Sequence, residues 1–167
     1  DGIRDKLVTG VQTCALPICT ARGQTFGPLQ PLRSAQGGEV KWWGEPVAGD
    51  IVWCHFPDGI TPMAKPRPVL IVAVYDDDDP QFYVKAAYGT SQRTSTLFRG
   101  DFAILRQCNA IAYETAGLSH DTKFDLGRLL DLPYSSEWFS VPPAAPHGQT
   151  PKLGMLHPSR VRAVKTA

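Results

Sequence analysis

The sequence predicts a mostly β domain, a small barrel or sandwich with short helices, and three observations predict it. Short runs of β-branched and aromatic residues recur along the chain, turn chemistry separates them, and helical signals are confined to two short stretches. No internal repeat is present.

The first strand is Ile51-Val52-Trp53-Cys54-His55-Phe56, launched by the Gly49-Asp50 turn and ended by Pro57-Asp58-Gly59. Residues 59–66 carry two prolines and no period, so they read as a loop. Residues 68–75 form a continuous apolar run of strand length, the pattern of a strand covered on both faces. The run Asp76-Asp77-Asp78-Asp79-Pro80 then turns the chain into a strand at 82–88, completing a hairpin. Adjacent aspartates before a proline have the composition of a solvated turn rather than of a metal site. Further strands are expected at 101–105, 124–132 and 152–156, the last after a proline-rich loop at 141–146. Residues 110–117 predict a short helix closed by Gly117, because glycine adopts the left-handed cap. Pro158, at a first helical position, opens a short terminal helix reaching Lys165.

Residues 1–18 read as the in-frame translation of a short-read sequencing adaptor, with Lys6-Leu7 at the sample-index position. They are expected to be foreign to the natural protein and are excluded from fold reasoning. Residues 19–40 are Gly, Gln, Pro and Ser with little apolar periodicity, which predicts a disordered tail. The barrel domain is therefore expected over 41–167. Without the adaptor about 150 residues remain, enough for one domain with a core of its own. A formal net charge of +1 selects no particular partner. Of the four cysteines only Cys54 and Cys108 fall inside the domain, and their spacing is neither metal-binding nor redox in type. They read as reduced thiols of a cytoplasmic protein, Cys54 buried. No apolar run approaches the ~20 residues that span a bilayer, so no membrane partner is expected.

Three clusters carry candidate chemistry. In Lys65-Pro66-Arg67-Pro68 the residue before Pro68 is held extended, which gives the Arg67 guanidinium a rigid mount for gripping a phosphate through paired hydrogen bonds. In Tyr88-Gly89-Thr90-Ser91-Gln92-Arg93-Thr94, glycine permits close backbone approach, and hydroxyls and an amide offer neutral donors. In Thr122-Lys123-Phe124-Asp125-Leu126-Gly127-Arg128, strand alternation projects Lys123 and Asp125 from one face, a cation beside a carboxylate. Each cluster alone also reads as an ordinary surface turn or ion pair.

Together, and in this order, the clusters resemble the PemK/MazF family of toxin endoribonucleases. Gly49-Asp50-Ile51-Val52-Trp53 with Phe56-Pro57 matches the family's opening motif, and Arg67-Pro68-Val69-Leu70-Ile71 its second. Thr90-Ser91-Gln92 and Lys123-Phe124-Asp125 with Arg128 match two weaker later ones. The resemblance implies an SH3-like barrel and a homodimer that cuts single-stranded RNA without a metal or cofactor, restrained by a small antitoxin protein. It implies that Arg67, Thr90 and Asp125 are catalytic, and that Lys65, Ser91, Gln92, Lys123 and Arg128 bind RNA. The chain departs from the pattern at Gly59-Ile60-Thr61-Pro62-Met63-Ala64, where family members often carry a glutamate or histidine. His55 and His120 are the natural substitutes, since an imidazole titrates near neutrality. The chain also runs on beyond Trp138, a segment expected to bind a partner or to cover a strand edge. Two other functions fit the same fold: a non-catalytic binding module, and a gyrase poison of the CcdB kind. The gyrase reading is the weaker, because Arg162-Ala163-Val164-Lys165-Thr166-Ala167 lacks the C-terminal aromatic that those poisons use.

Overall fold

The computed structural model describes residues 41–57, 65–76 and 82–166. The readings of the adaptor, the 19–40 tail, the 59–64 loop and the turn through Asp77-Asp78-Asp79 lie outside the described residues. Among the described residues the chain forms β1 (Asp50–Cys54), β2 (Arg67–Asp76), β3 (Phe82–Thr90), β4 (Asp101–Ile104), α1 (Ala110–Thr115), β5 (Thr122–Pro133), β6 (Lys152–Met155) and α2 (Pro158–Thr166). Every strand and helix expected from the sequence is present, with ends shifted by a residue or two. Such shifts are normal where strands fray into turns.

The strands make one antiparallel sheet in the order β4-β5-β3-β2-β1-β6, curled into half a barrel. Its two faces carry separate cores. On one face Val52, Cys54, Val69, Ile71, Val84, Ala86 and Leu132 pack under Phe56 and under a return segment that contributes Tyr134, Trp138 and Phe139. On the other, Ile51, Leu70, Ala87, Phe102, Ile104 and Phe124 pack under Ala112 and Tyr113 of α1 and Ala163 and Val164 of α2. Both layers meet in β2, whose Val69, Leu70 and Ile71 are all buried, as the continuous apolar run predicts. Each such side chain contributes about 1.5–3 kcal/mol by leaving water.

The segment beyond Trp138 is built into the domain. Phe139 bridges Cys54, and β6 adds a strand beside β1 with Ile51 opposite Gly154. From α2, Arg160 Nη2 donates to the Ala103 carbonyl of edge strand β4 at 2.6 Å. Capping one edge and occupying another removes backbone that would otherwise pair with foreign strands. Helix α1 begins where the Asn109 side chain accepts the Ala112 N–H. It ends before Gly117, whose φ of +63° is the left-handed cap expected from the sequence. A Cβ there would also strike the Leu153 carbonyl, so glycine lets α1 sit directly on β6. Among the described residues no helix is long and apolar enough to cross a membrane.

Candidate functional site

The three motif clusters meet at one end of the sheet. Arg67 opens β2 and Thr90 closes β3, and the antiparallel register Val69 to Tyr88 brings those two ends together. Across the next seam Tyr88 lies opposite Asp125 and Thr90 opposite Lys123. Residues directly opposite in an antiparallel pair share a face. Tyr88, Thr90, Lys123 and Asp125 therefore project from one side of the sheet, and strand alternation from Val69 puts Arg67 there too. Arg128 arrives by a different route. The register jumps from Asp125 opposite Tyr88 to Leu129 opposite Ala87, so residues 126–128 bulge out of β5. A bulge re-aims side chains and here carries Arg128 back over the same face.

Tyr88 is the centre of this arrangement. The Arg67 guanidinium carbon lies 5.7 Å from the Tyr88 ring centroid and that of Arg128 lies 5.2 Å from it. Arg128 also lies 5.8 Å from the ring of buried Phe56, which packs on Tyr88 at 5.2 Å between centroids. Its Nη2 donates a long hydrogen bond of 3.4 Å to the Pro57 carbonyl. Each cation–ring contact is worth about 0.5–1 kcal/mol where exposed, enough to bias a guanidinium toward one position. Among the described residues neither arginine forms an ion pair. Two positive charges thus stand without an ion-pair partner among the described residues.

The remaining candidates divide into engaged and open groups. Lys123 Nζ donates to Asp101 Oδ2 and to the Thr96 carbonyl, both at 2.9 Å, and the side chains of the ion pair are 11% and 5% exposed. Its ammonium is committed inside the protein. Burial alone would raise the Asp101 carboxyl, but the Phe98 N–H and the Lys123 ammonium outweigh it and hold the group below the usual carboxylate range. Asp125 keeps one oxygen on the Gly127 N–H at 2.9 Å, a bond that shapes the bulge. Lys65, Ser91 and Gln92 are exposed around the strand ends. The Thr90 hydroxyl accepts the Gln92 N–H at 3.2 Å and retains its own proton for another acceptor. Gly89 has a more local purpose than ligand approach alone, because a Cβ there would strike the Pro68 carbonyl.

Behind this end of the sheet lies a cleft of about 150 Å³. Trp53, Pro66, Pro68, Leu118 and His120 line it, and Arg67, Thr90 and Ser91 belong to its lining as well. His120 is thus brought beside Arg67 and Thr90, whereas His55 is not among the lining residues. The His120 Nδ1 is 3.1 Å from the Ser119 hydroxyl.

Three contributors to the site leave little trace in the sequence. Tyr88 lies within the second cluster, and an aromatic beside a strand-end glycine is the signal that singles it out. Asp101 had no signal, since it lies 22 residues from Lys123. Trp53 belonged to the opening motif but gave no hint that it walls a cleft. Among the described residues no group of three His, Cys, Asp or Glu side chains could hold a metal ion. Compared with models of known protein families the chain matches none, and no curated protein matches its sequence.

Proposed function

We propose that this domain binds single-stranded RNA across the Tyr88 face and cleaves it as an endoribonuclease. The single observation that carries the reading is the pair of guanidinium groups, Arg67 and Arg128, which have no ion-pair partner among the described residues and are held against Tyr88 at the end of the sheet where Thr90 closes β3. Phosphodiester transfer places growing negative charge on the nonbridging oxygens, and prepositioned cationic and hydroxyl donors are what that step needs. In this reading Arg67 and Arg128 receive the phosphate and Thr90 orients it. Asp125 takes the proton from the 2′-hydroxyl as its oxygen bonds to phosphorus. The bond from phosphorus to the 5′-oxygen breaks, water protonates the leaving oxygen, and the products carry 2′,3′-cyclic phosphate and 5′-hydroxyl ends. With the PemK/MazF resemblance, the biological role is that of a homodimeric toxin held inactive by a small antitoxin protein.

The test is incubation of the purified chain with single-stranded RNA in EDTA, with end-group analysis of the fragments. Cleavage leaving cyclic phosphate ends is expected, and Arg67→Ala should slow it by about 100- to 1,000-fold. Full cleavage by that variant removes Arg67 from the mechanism.

A second reading, an RNA-binding module without catalysis, is favoured by one observation. Lys123, which stands beside Asp125 in the motif, is buried against Asp101 and lends nothing to proton transfer. RNA that binds and is released intact under these conditions selects that reading.

A further inference from the structure

Apart from Arg67 and Thr90, the residues lining the cleft behind the strand ends take no part in the phosphate chemistry above. It opens where β2 begins and where β3 ends, so both faces of the sheet are within reach of one ligand that passes over this end. Arg67 and Thr90 belong to both regions, since they line the cleft while the Arg67 guanidinium leans on Tyr88. A strand of nucleic acid with its phosphate at the guanidinium pair therefore has an adjoining base within one nucleotide of the cleft.

The walls suit such a base. Trp53 and the two prolines Pro66 and Pro68 offer flat apolar surface, and Leu118 adds to it. Its polar side chains are Arg67, Thr90, Ser91, Ser119, His120 and Thr122, of which Ser91 and His120 are exposed and open to the edge of a ligand. With Nδ1 of His120 toward Ser119, its Nε2 remains for a ligand, and among the described residues neither that nitrogen nor the Ser91 hydroxyl has a partner. A volume near 150 Å³ is room for about five water molecules at the ~30 Å³ each takes up in the liquid, on the scale of one heteroaromatic ring rather than of a base pair. Hydroxyl and imidazole groups around a ring-sized slot with apolar walls suit the edge and faces of a planar heterocycle; among the described lysines and arginines only Arg67 lines it.

We infer that this cleft is a subsite for one unpaired nucleobase, stacked on Trp53 and contacted at its edge by His120 and Ser91, next to the phosphate held at Arg67 and Arg128. The inference rests on the RNA reading above and adds to it the group that lets the protein prefer one position along a strand.

Fluorescence anisotropy with two labelled ten-nucleotide probes tests it. One probe is a random-sequence RNA with 2′-O-methyl groups that prevent attack, and the other has the same backbone with no bases. The full chain should bind the first at least tenfold more tightly than the second, since stacking one base on an aromatic side chain is worth about 1–3 kcal/mol. Ser91→Trp, which fills the cleft from an exposed position, should abolish most of that preference. His120→Ala, also at an exposed position, should reduce the preference severalfold. Arg67→Ala should weaken both probes together. Equal binding of the two probes by the unaltered chain overturns the subsite and leaves the phosphate site standing, as does an undiminished preference in Ser91→Trp. Binding of neither probe overturns the RNA reading itself and the subsite with it.

Discussion

At the scale of single residues, the end of the sheet holds two kinds of cation with opposite fates. Lys123 is buried on Asp101, whereas Arg67 and Arg128 rest on an aromatic ring with no acidic partner among the described residues. Breaking the buried pair should be costly, because the survivor keeps its desolvation cost without its partner. Lys123→Met is expected to lower unfolding stability by about 3–5 kcal/mol, read from urea midpoints. The same pair fixes a pH dependence. The folded-state carboxyl of Asp101 sits below its unfolded value, so its contribution is complete above the ordinary carboxylate range, near pH 4, and is lost as pH falls through the depressed value. Asp101→Asn should therefore flatten the acid limb of the stability curve below pH 4 while costing stability at pH 7. The arginines make a different prediction. Arg128→Ala should weaken binding to all single-stranded RNA sequences alike and reduce the steepness of its salt dependence by about one phosphate contact, with melting temperature little changed.

At the scale of elements, the bulge at residues 126–128 decides whether Arg128 reaches Tyr88 at all. Deleting Gly127 removes one residue from the bulge and should swing Arg128 off the ring. RNA affinity is expected to fall toward that of Arg128→Ala while far-ultraviolet circular dichroism still reports a sheet. An unchanged affinity would show that the bulge is irrelevant to the site. Strand pairing also imposes the glycine at the neighbouring seam. Any side chain at position 89 meets the Pro68 carbonyl, and Gly89→Ala should destabilise by about 1–3 kcal/mol in thermal unfolding. These element-level constraints explain why the motif residues are spaced as they are.

At the scale of the whole molecule, the chain beyond Trp138 is structural. It supplies β6 beside β1, the Phe139 bridge to Cys54, and α2 over the core that contains Ile51 and Leu70. Truncation after Val141 should expose the β1 edge and that core together, giving loss of cooperative unfolding and aggregation rather than a smaller stable domain. The two described thiols should also behave differently in the native state. Burial pushes the Cys54 thiol far above its ordinary value, whereas Cys108 is exposed. Mass spectrometry after brief thiol labelling is expected to find Cys108 modified and Cys54 untouched until the protein unfolds.

The sequence by itself determined the strands, the two helices, the Gly117 cap and the grouping of candidate residues into three clusters. These follow from local rules: side-chain period, turn residues and the fixed φ of proline act within a few positions. Only the tertiary structure decided which candidates are open and which are engaged. The Lys123–Asp101 pair, the Tyr88 platform under two arginines and the cleft shared by Trp53 and His120 join residues far apart in the chain. Such juxtapositions depend on strand order and on a three-residue register jump in β5, and neither leaves a periodic trace in the sequence.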